Sequence, residues 1–238
     1  MEDKATYVND LFSRIASKYD LLNDLMTLAM HKAWKNRLVD LVSEGIKDSK
    51  NAKVLDLCTG TGDIADLWIK KPYVSEVIAV DSCSAMLEQG YEKLQKKYST
   101  KVPKLTMLQA DAMQLPFPDN HFDAVTVGFG LRNVKDPDVA IREIFRVLKP
   151  SGFLGSLDLG HPRIPMISNI YKNLFLKFIP ALGKNIARDK DAYQYLVDSL
   201  KTWPPQQQFS QALYEFGFNR SFYEDIMLGA IAIVIAQK

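Results

Sequence analysis

Residues 54–63, Val-Leu-Asp-Leu-Cys-Thr-Gly-Thr-Gly-Asp, read as a buried strand that breaks into a glycine turn and opens a helix. Gly60 and Gly62 leave the main chain bare there, so a cofactor can lie directly against the backbone. The next apolar run, 77–80, ends in Asp81, about the interval at which a nucleotide fold places the acid that grips ribose hydroxyls. An acid at the tip of a buried strand is costly unless hydrogen-bonded, and a bond to a charged group contributes roughly 1.5–3 kcal/mol. The two features together predict a nucleotide-like cofactor. Its charge matters, because a nicotinamide site uses G-x-G-x-x-G to seat a pyrophosphate on a helix N-terminus. Here the turn is D-x-C-T-G-T-G, beginning at Asp56, with Cys58 where a first glycine would stand. Asp63 adds negative charge where a diphosphate would be received, which disfavours a phosphate ligand. A tight turn without a ligand, and a helix cap at Asp81 ahead of Met86 and Leu87, are the structural alternatives.

Other elements must hold these residues in place. At 238 residues the chain is long enough for a single α/β domain, 1–238, that buries roughly 70–75% of its unfolded surface. Val8, Leu11, Phe12 and Ile15 recur at helical spacing, 19–23 breaks the period, and Trp34, Leu38, Leu41 and Val42 mark a second helix. Residues 1–50 thus form a helical N-terminal cover. Strands at 54–58, 77–81, 105–109 and 123–128 then alternate with helices, the last at 137–148, which argues for a mostly parallel sheet. Residues 149–152 punctuate that helix, and a strand resumes at 153–159 with Asp158 near the end that faces the crevice. A helical, aromatic-rich insertion covers 160–205, a helix covers 209–216, and runs at 218–224 and 230–236 form an antiparallel pair that closes the sheet.

Composition removes several classes. A net charge of +2 and the lack of a Lys/Arg run interleaved with aromatics exclude nucleic acid as a partner. The two cysteines, Cys58 and Cys83, make neither a disulfide framework nor a C-x-x-C metal site, so no metal is expected and a reducing cytosol fits. The charged start, Met1-Glu2-Asp3-Lys4, lacks a following apolar run and reads as no secretory signal. The longest apolar run, 226–236, is about half the length of a membrane-spanning helix.

The turn is similar to the D-x-G-x-G-x-G turn of class I methyltransferases, whose S-adenosylmethionine presents a cationic sulfonium and ammonium beside carboxylates such as Asp56 or Asp63. Further motifs resemble one family over nearly the whole chain, the quinone-biosynthesis C-methyltransferases. Tyr19-Asp20 with Asn23 and His31-Lys32-Ala33-Trp34 resembles its first signature. Residues 115–120, Phe122-Asp123 and the run Phe129-Gly130-Leu131-Arg132-Asn133-Val134 match its middle, and 146–150 opens its second signature. Departures include Leu22 for methionine, Ala29 and Ser151 for glycines, and Asp158 and Gly160 for glutamate and serine. The resemblance implies a Rossmann-like fold and S-adenosylmethionine as cofactor. It implies cofactor contacts at Thr61 in the turn, Asp81, and Asp111-Ala112 after the third strand, with Gly128 contributing backbone alone. Asp111 would accept from the adenine amino group, or would simply cap a turn.

The acceptor implied is a prenylated quinol: demethylmenaquinol, demethylphylloquinol or the benzoquinol precursor of ubiquinone. Methyl transfer to a ring carbon needs alignment and a deprotonated hydroxyl. Alignment supplies roughly 7–11 kcal/mol, whereas a general base typically gives about 10²–10⁴-fold, so position outweighs the base. Arg132 is the candidate anion stabiliser, or the group that lowers a bound water's pKa so that the water takes the proton, and Asn133 is the candidate holder of a quinol oxygen. Arg132 pairing with Asp136 or Asp138 on a surface turn is the alternative. His31 is a candidate proton acceptor or a structural histidine beside Trp34. Tyr19, Asp20 and Asp158 are candidate pocket residues, His161 a weaker base, and His121 a solvent-facing residue. Ile167, Ile170, Tyr171, Leu174, Phe175 and Phe178 repeat at helical spacing, either as core or as a groove for an isoprenoid tail. Arg163, Lys172, Lys177, Lys184 and Arg188, opposed locally by Asp189, would make a face for anionic lipid. The expected protein is cytoplasmic, visits the membrane surface, and works as a homodimer or within a quinone-biosynthesis complex, with a catalytically silent scaffold subunit as the alternative.

Overall fold

The computed structural model describes residues 3–98, 104–164, 195 and 198–238. Its centre is one sheet in the order β3-β2-β1-β4-β5-β7-β6. The strands are β1 Ala52–Leu57, β2 Val74–Asp81, β3 Leu105–Gln109, β4 Phe122–Gly128, β5 Leu148–Leu159, β6 Arg220–Ile226 and β7 Ile231–Gln237. The first five run parallel, and β7 lies antiparallel to both β5 and β6. Chain order reverses at β1, which has β2 on one side and β4 on the other. An open sheet leaves its crevice there, beyond the carboxyl ends of the strands.

Strands buried on both faces need apolar residues at consecutive positions, and β1 supplies Val54 to one face and Leu55 to the other. On the first face the sheet meets Trp34, Leu38, Val39 and Val42 of α3 (Met30–Ile46) and Trp68 of α4 (Asp63–Trp68). On the second it meets Ile141, Ile144 and Val147 of α6 (Pro137–Val147). Each large aliphatic side chain fully withdrawn here contributes about 1.5–3 kcal/mol. Gly155 lets α3 lie down on β5, since a Cβ there would stand 2.4 Å from Val42 Cγ2. Pro137 opens α6 behind Asp136, whose carboxylate accepts the N–H groups of Asp138 and Val139 at 3.1 and 3.2 Å. Asp136 is therefore a helix cap, and the surface pairing with Arg132 does not form.

The N-terminal cover consists of α1 (Lys4–Ile15), α2 (Tyr19–Thr27) and α3, while α5 (Ser84–Tyr98) follows β2. Two expectations need correction. Residues 19–23 do not interrupt helix; they form the first turn of α2, and the break comes at Leu28 and Ala29, with φ of 50° and 59°. The polar composition of Tyr19-Asp20 and Asn23 suits a helix start packed on polar neighbours, which periodicity of apolar residues misses. β5 likewise starts at Leu148 and runs through the Pro150-Ser151-Gly152 stretch, with Leu148 paired to Phe122 before a register shift. Most of the 160–205 insertion, including Ile167, Ile170, Tyr171, Leu174, Phe175, Phe178, Lys172, Lys177, Lys184, Arg188 and Asp189, lies outside the described residues. Among the described residues no helix is long and apolar enough to cross a membrane.

Candidate active site

A cavity of about 330 Å³ opens at the carboxyl ends of β1, β2 and β4, with Gly60, Asp81, Asp111, Ala112, Gly128 and Asn133 among its walls. Val8 and Phe12 of α1 and Tyr19 of α2 line it as well. The turn after β1 reverses through three left-handed residues, Cys58, Gly60 and Gly62, at φ of 53°, 56° and 79°. Asp81 holds that turn: its Oδ2 accepts the Gly60 N–H at 2.8 Å and its Oδ1 accepts the Cys83 N–H at 3.0 Å. Burial pushes the Asp81 carboxyl up, and those N–H donors pull against it. Asp81 therefore caps the turn from a place in the cavity wall. Asp111 Oδ1 accepts the Met113 N–H at 2.8 Å, which fixes the loop that presents Ala112. Gly128 faces the cavity with bare backbone, because a Cβ would stand 2.5 Å from Ile64 Cδ1.

Several expected contacts lie elsewhere. Asp56 is wholly buried beneath the turn and outside the cavity wall. Its carboxylate accepts the Thr59 hydroxyl at 2.6 Å, the Ala65 N–H at 3.1 Å and the Thr126 hydroxyl at 3.1 Å. Burial raises it to about 7. It ties strand, turn and α4 together, with both of its oxygens engaged in doing so. Asp63 does not offer a free negative charge either: burial would raise its carboxyl, but Lys35 and Lys93 hold it well below the ordinary range. Lys35 reaches it at 2.7 Å, and Lys93 bridges Asp63, Asp20 and Thr61 at 2.7, 2.9 and 3.0 Å. The Thr61 hydroxyl donates to Asp20 at 2.6 Å. Thr61, Gly62 and Asp20 thus stand behind the wall, where they hang α2 on the glycine turn and keep Tyr19 3.7 Å from the point where a Gly60 Cβ would stand.

Sequence reasoning missed both lysines. The available signal was spacing, since Lys93 lies three residues after Gly90 on α5, and Gly90 packs so tightly that a Cβ would meet the Thr61 main chain at 3.0 Å.

On the β4–β5 side, the Phe129–Val134 run forms a single tight helical turn over 131–133. Phe129 takes φ 58°, and its carbonyl accepts from Arg132 Nη1 and Asn133 Nδ2, both at 3.0 Å. Arg132 Nη1 also pairs with Asp158 Oδ1, and both side chains are almost fully buried. Burial pushes the Asp158 carboxyl up while Arg132 pulls it down. Arg132 Nε, Asn133 Oδ1 and Asp158 Oδ2 are buried with no partner among the described residues. Of these three residues Asn133 lines the cavity.

The histidines fall outside this arrangement. His31 Nε2 meets Asp24 Oδ1 at 2.8 Å, the ring is buried outside the cavity wall, and burial, with Lys35 nearby, lowers its affinity for a proton against the pull of Asp24. It reads as a structural histidine joining α2 to α3. His161 Nε2 meets the Trp203 carbonyl at 3.0 Å. His121 stacks on Phe117 and meets Phe122 edge-on instead of facing solvent alone. Among the described residues no cluster of His, Cys, Asp or Glu could hold a metal.

A parallel sheet with this strand order, an antiparallel closing pair and a cavity beside an acid-tipped second strand define a class I methyltransferase fold. A solved methyltransferase of Thermotoga maritima, described as a possible histamine N-methyltransferase, shares it at a TM-score of 0.66 and 16% identity, covering 97% of this chain and 99% of that one. The model of the ubiE/COQ5 methyltransferase family matches residues 1–238, and the chain belongs to that family. It is 41% identical over 238 residues to the ubiquinone/menaquinone biosynthesis C-methyltransferase UbiE of Francisella tularensis subsp. mediasiatica, covering 100% of this chain and 93% of that one. The protein of the same name from Erwinia tasmaniensis is 36% identical over 233 residues, with 98% and 90% covered. The chain is an S-adenosylmethionine-dependent C-methyltransferase.

Proposed function

We propose that this protein methylates a ring carbon of a reduced, prenylated quinone precursor, with demethylmenaquinol to menaquinol as its step. The observation that supports the reading is Asn133 in the wall of the cavity with the buried Arg132–Asp158 pair behind it. The residues suit S-adenosylmethionine: Asp81 for the ribose hydroxyls, Asp111 and the Ala112 N–H for the adenine, and bare backbone at Gly60 and Gly128. When bound, that cofactor supplies an electrophilic methyl group.

The chain's own residues do the rest. Asn133 and Arg132 fix the acceptor's oxygen, and the guanidinium stabilises the negative charge that builds there. Asp158 Oδ2 takes the hydroxyl proton, and its elevated proton affinity inside the protein suits that task. As Asp158 becomes neutral, Arg132 exchanges one anionic partner for another. The ring carbon–methyl bond would form as the donor's sulfur–methyl bond breaks; the ring carbon's own proton leaves to solvent to restore the aromatic ring, and Asp158 returns its proton to the product's oxygen.

Membrane contact belongs to the same proposal. Leu21, Leu25 and Leu28 recur on one face of α2 and its end, all exposed, Leu28 at 82%. Exposed Lys18 and Lys32 flank them, a pattern that suits a shallow seat on anionic lipid. Assembly as a homodimer or within a quinone-biosynthesis complex completes the reading, and light scattering of the purified protein tests the first.

The deciding experiment incubates the protein with methyl-labelled S-adenosylmethionine and either reduced demethylmenaquinone or the demethylated benzoquinol. Label on the naphthoquinol ring is expected. Label on the benzoquinol alone would move the step to ubiquinone synthesis, and binding without label would make the chain a scaffold.

A further inference from the structure

Two runs of the family signature, 115–120 and 146–150, lie apart in the sequence and meet at one side chain. The loop from β3 to β4, residues 110–121, contains neither helix nor strand, so its main-chain polar groups need partners from elsewhere. Its first part, Asp111, Ala112 and Met113, lines the cofactor cavity. Its middle is held by α6. Arg146 Nη2 donates to the Leu115 carbonyl at 3.0 Å, and Nη1 donates to the Phe117 carbonyl at 2.7 Å. Nη1 also donates to Asp119 Oδ1 at 2.8 Å, while Nε and Nη2 donate to the two Glu143 oxygens at 2.7 and 2.8 Å. All five N–H groups of the guanidinium are thereby engaged. Glu143 Oε2 in turn accepts the Leu115 N–H at 2.8 Å, so both main-chain groups of Leu115 are held by this one pair, which sits a turn apart on α6.

The sequence Leu115-Pro116-Phe117-Pro118 explains why an arginine is needed. Proline has no N–H, and the Phe117 N–H closes a tight turn on the Leu115 carbonyl at 2.8 Å. The segment is left with carbonyls to satisfy, and a planar guanidinium reaches two of them and two carboxylates at once, which a lysine cannot do. On the cavity side, Asp111 Oδ1 accepts the Met113 N–H at 2.8 Å and the Asp111 carbonyl accepts the Gln114 N–H at 3.0 Å. This turn runs straight into the clamped Leu115, whose side chain shares the core around α6 with Ala112. We propose that Arg146 is a positioning residue for the cofactor's adenine: by fastening 115–119 to α6 it sets where the Asp111 carboxylate and the Ala112 N–H stand in the cavity wall. Arg146 is outside that wall and acts through the loop. The inference rests on the proposed seat of the adenine at Asp111 and Ala112.

The test measures binding of S-adenosylhomocysteine and S-inosylhomocysteine by titration calorimetry. The second carries a ring carbonyl where adenine has its amino group, and an N–H where adenine has an acceptor nitrogen, so it opposes both contacts. Wild type should prefer the adenosyl compound by about 10²-fold, the worth of two such hydrogen bonds. Arg146→Lys should reduce that preference about tenfold, and the milder Glu143→Gln should reduce it about threefold, which keeps the test open if Arg146→Lys does not fold. Ile144→Val, on the apolar side of the same helix, should lower Tm through a small void and leave the preference as it was. Asp111→Ala should bring it near parity. A preference lost in Asp111→Ala but intact in both clamp variants overturns the role of Arg146 and leaves the adenine seat standing. A fall in Arg146→Lys no greater than that in Ile144→Val also overturns it, since general loosening would then suffice. A preference that survives Asp111→Ala, or that wild type lacks, removes the adenine seat and the inference with it.

Discussion

Arg132, in the turn after β4, and Asp158, near the end of β5, form an ion pair whose side chains are 6% and 5% exposed. Removing one member of a buried pair strands the other charge, typically at about 3–5 kcal/mol, whereas replacing both with apolar residues is often neutral. Arg132→Met and Asp158→Leu should each lose stability in that range in urea unfolding. The double variant should recover most of it and still transfer no methyl groups. A double variant as unstable as the singles would show that the two residues do not act as a unit.

The fold was largely legible because the parallel strands carry uninterrupted apolar runs and glycine marks the turns. The first five strands, the closing pair and α6 lie within a few residues of their expected places. The cavity wall was legible in part. Asp81 and Gly128 announce themselves at strand ends, but Asp56 has the same position in β1 and turns inward, because Thr59, Thr126 and the Ala65 N–H compete for it. Sequence spacing reports which strand end a carboxylate occupies and is silent on which donors reach it first. Lys93 was illegible for a related reason. A lysine on a polar helix gains its meaning from distant partners, here Asp20, Thr61 and Asp63.

Asp81→Ala removes the acceptor of both the Gly60 and Cys83 N–H groups. Bonds to a charged acceptor contribute roughly 1.5–3 kcal/mol, so S-adenosylhomocysteine should bind about 10- to 100-fold more weakly. Titration calorimetry checks this, and an unchanged dissociation constant would remove Asp81 from the cofactor wall.

Asp56 titrates near 7 in the fold against an ordinary value of 3.8. The folded chain thus binds this proton more tightly than the unfolded one. Its contribution to stability is full below about pH 4 and is lost as pH rises through about 7. Asn fits the site, accepting from Thr59 and Ala65 and donating to the Thr126 hydroxyl. The Tm of Asp56→Asn relative to wild type should therefore climb between pH 5 and pH 8, as estimated from the same linkage. A constant difference across that range would contradict the sign.

Ala29 and Ser151 stand where the family signatures carry glycine, and both adopt left-handed backbone, at φ of 59° and 64°. Such a conformation costs a residue with a Cβ roughly 1–2 kcal/mol, offset by about 0.5–1 kcal/mol of extra freedom that glycine has when unfolded. Ala29→Gly and Ser151→Gly should each raise Tm by about 2 °C, whereas Ala29→Val should lower it. Differential scanning calorimetry reads the order directly.

Lys93, Asp20 and Asp63 hang α2 from the glycine turn at the cavity, and Lys4 Nζ pins the start of α1 to the Val134 carbonyl at 2.6 Å. These polar ties add to the apolar seat that Phe12, Ala16 and Tyr19 find against Cys83 and Met86. The Lys4 contact is exposed and the Lys93 cluster is half-sunk, so added salt weakens the first more than the second. Ionic strength therefore loosens the α1 end of the cover before the α2 end.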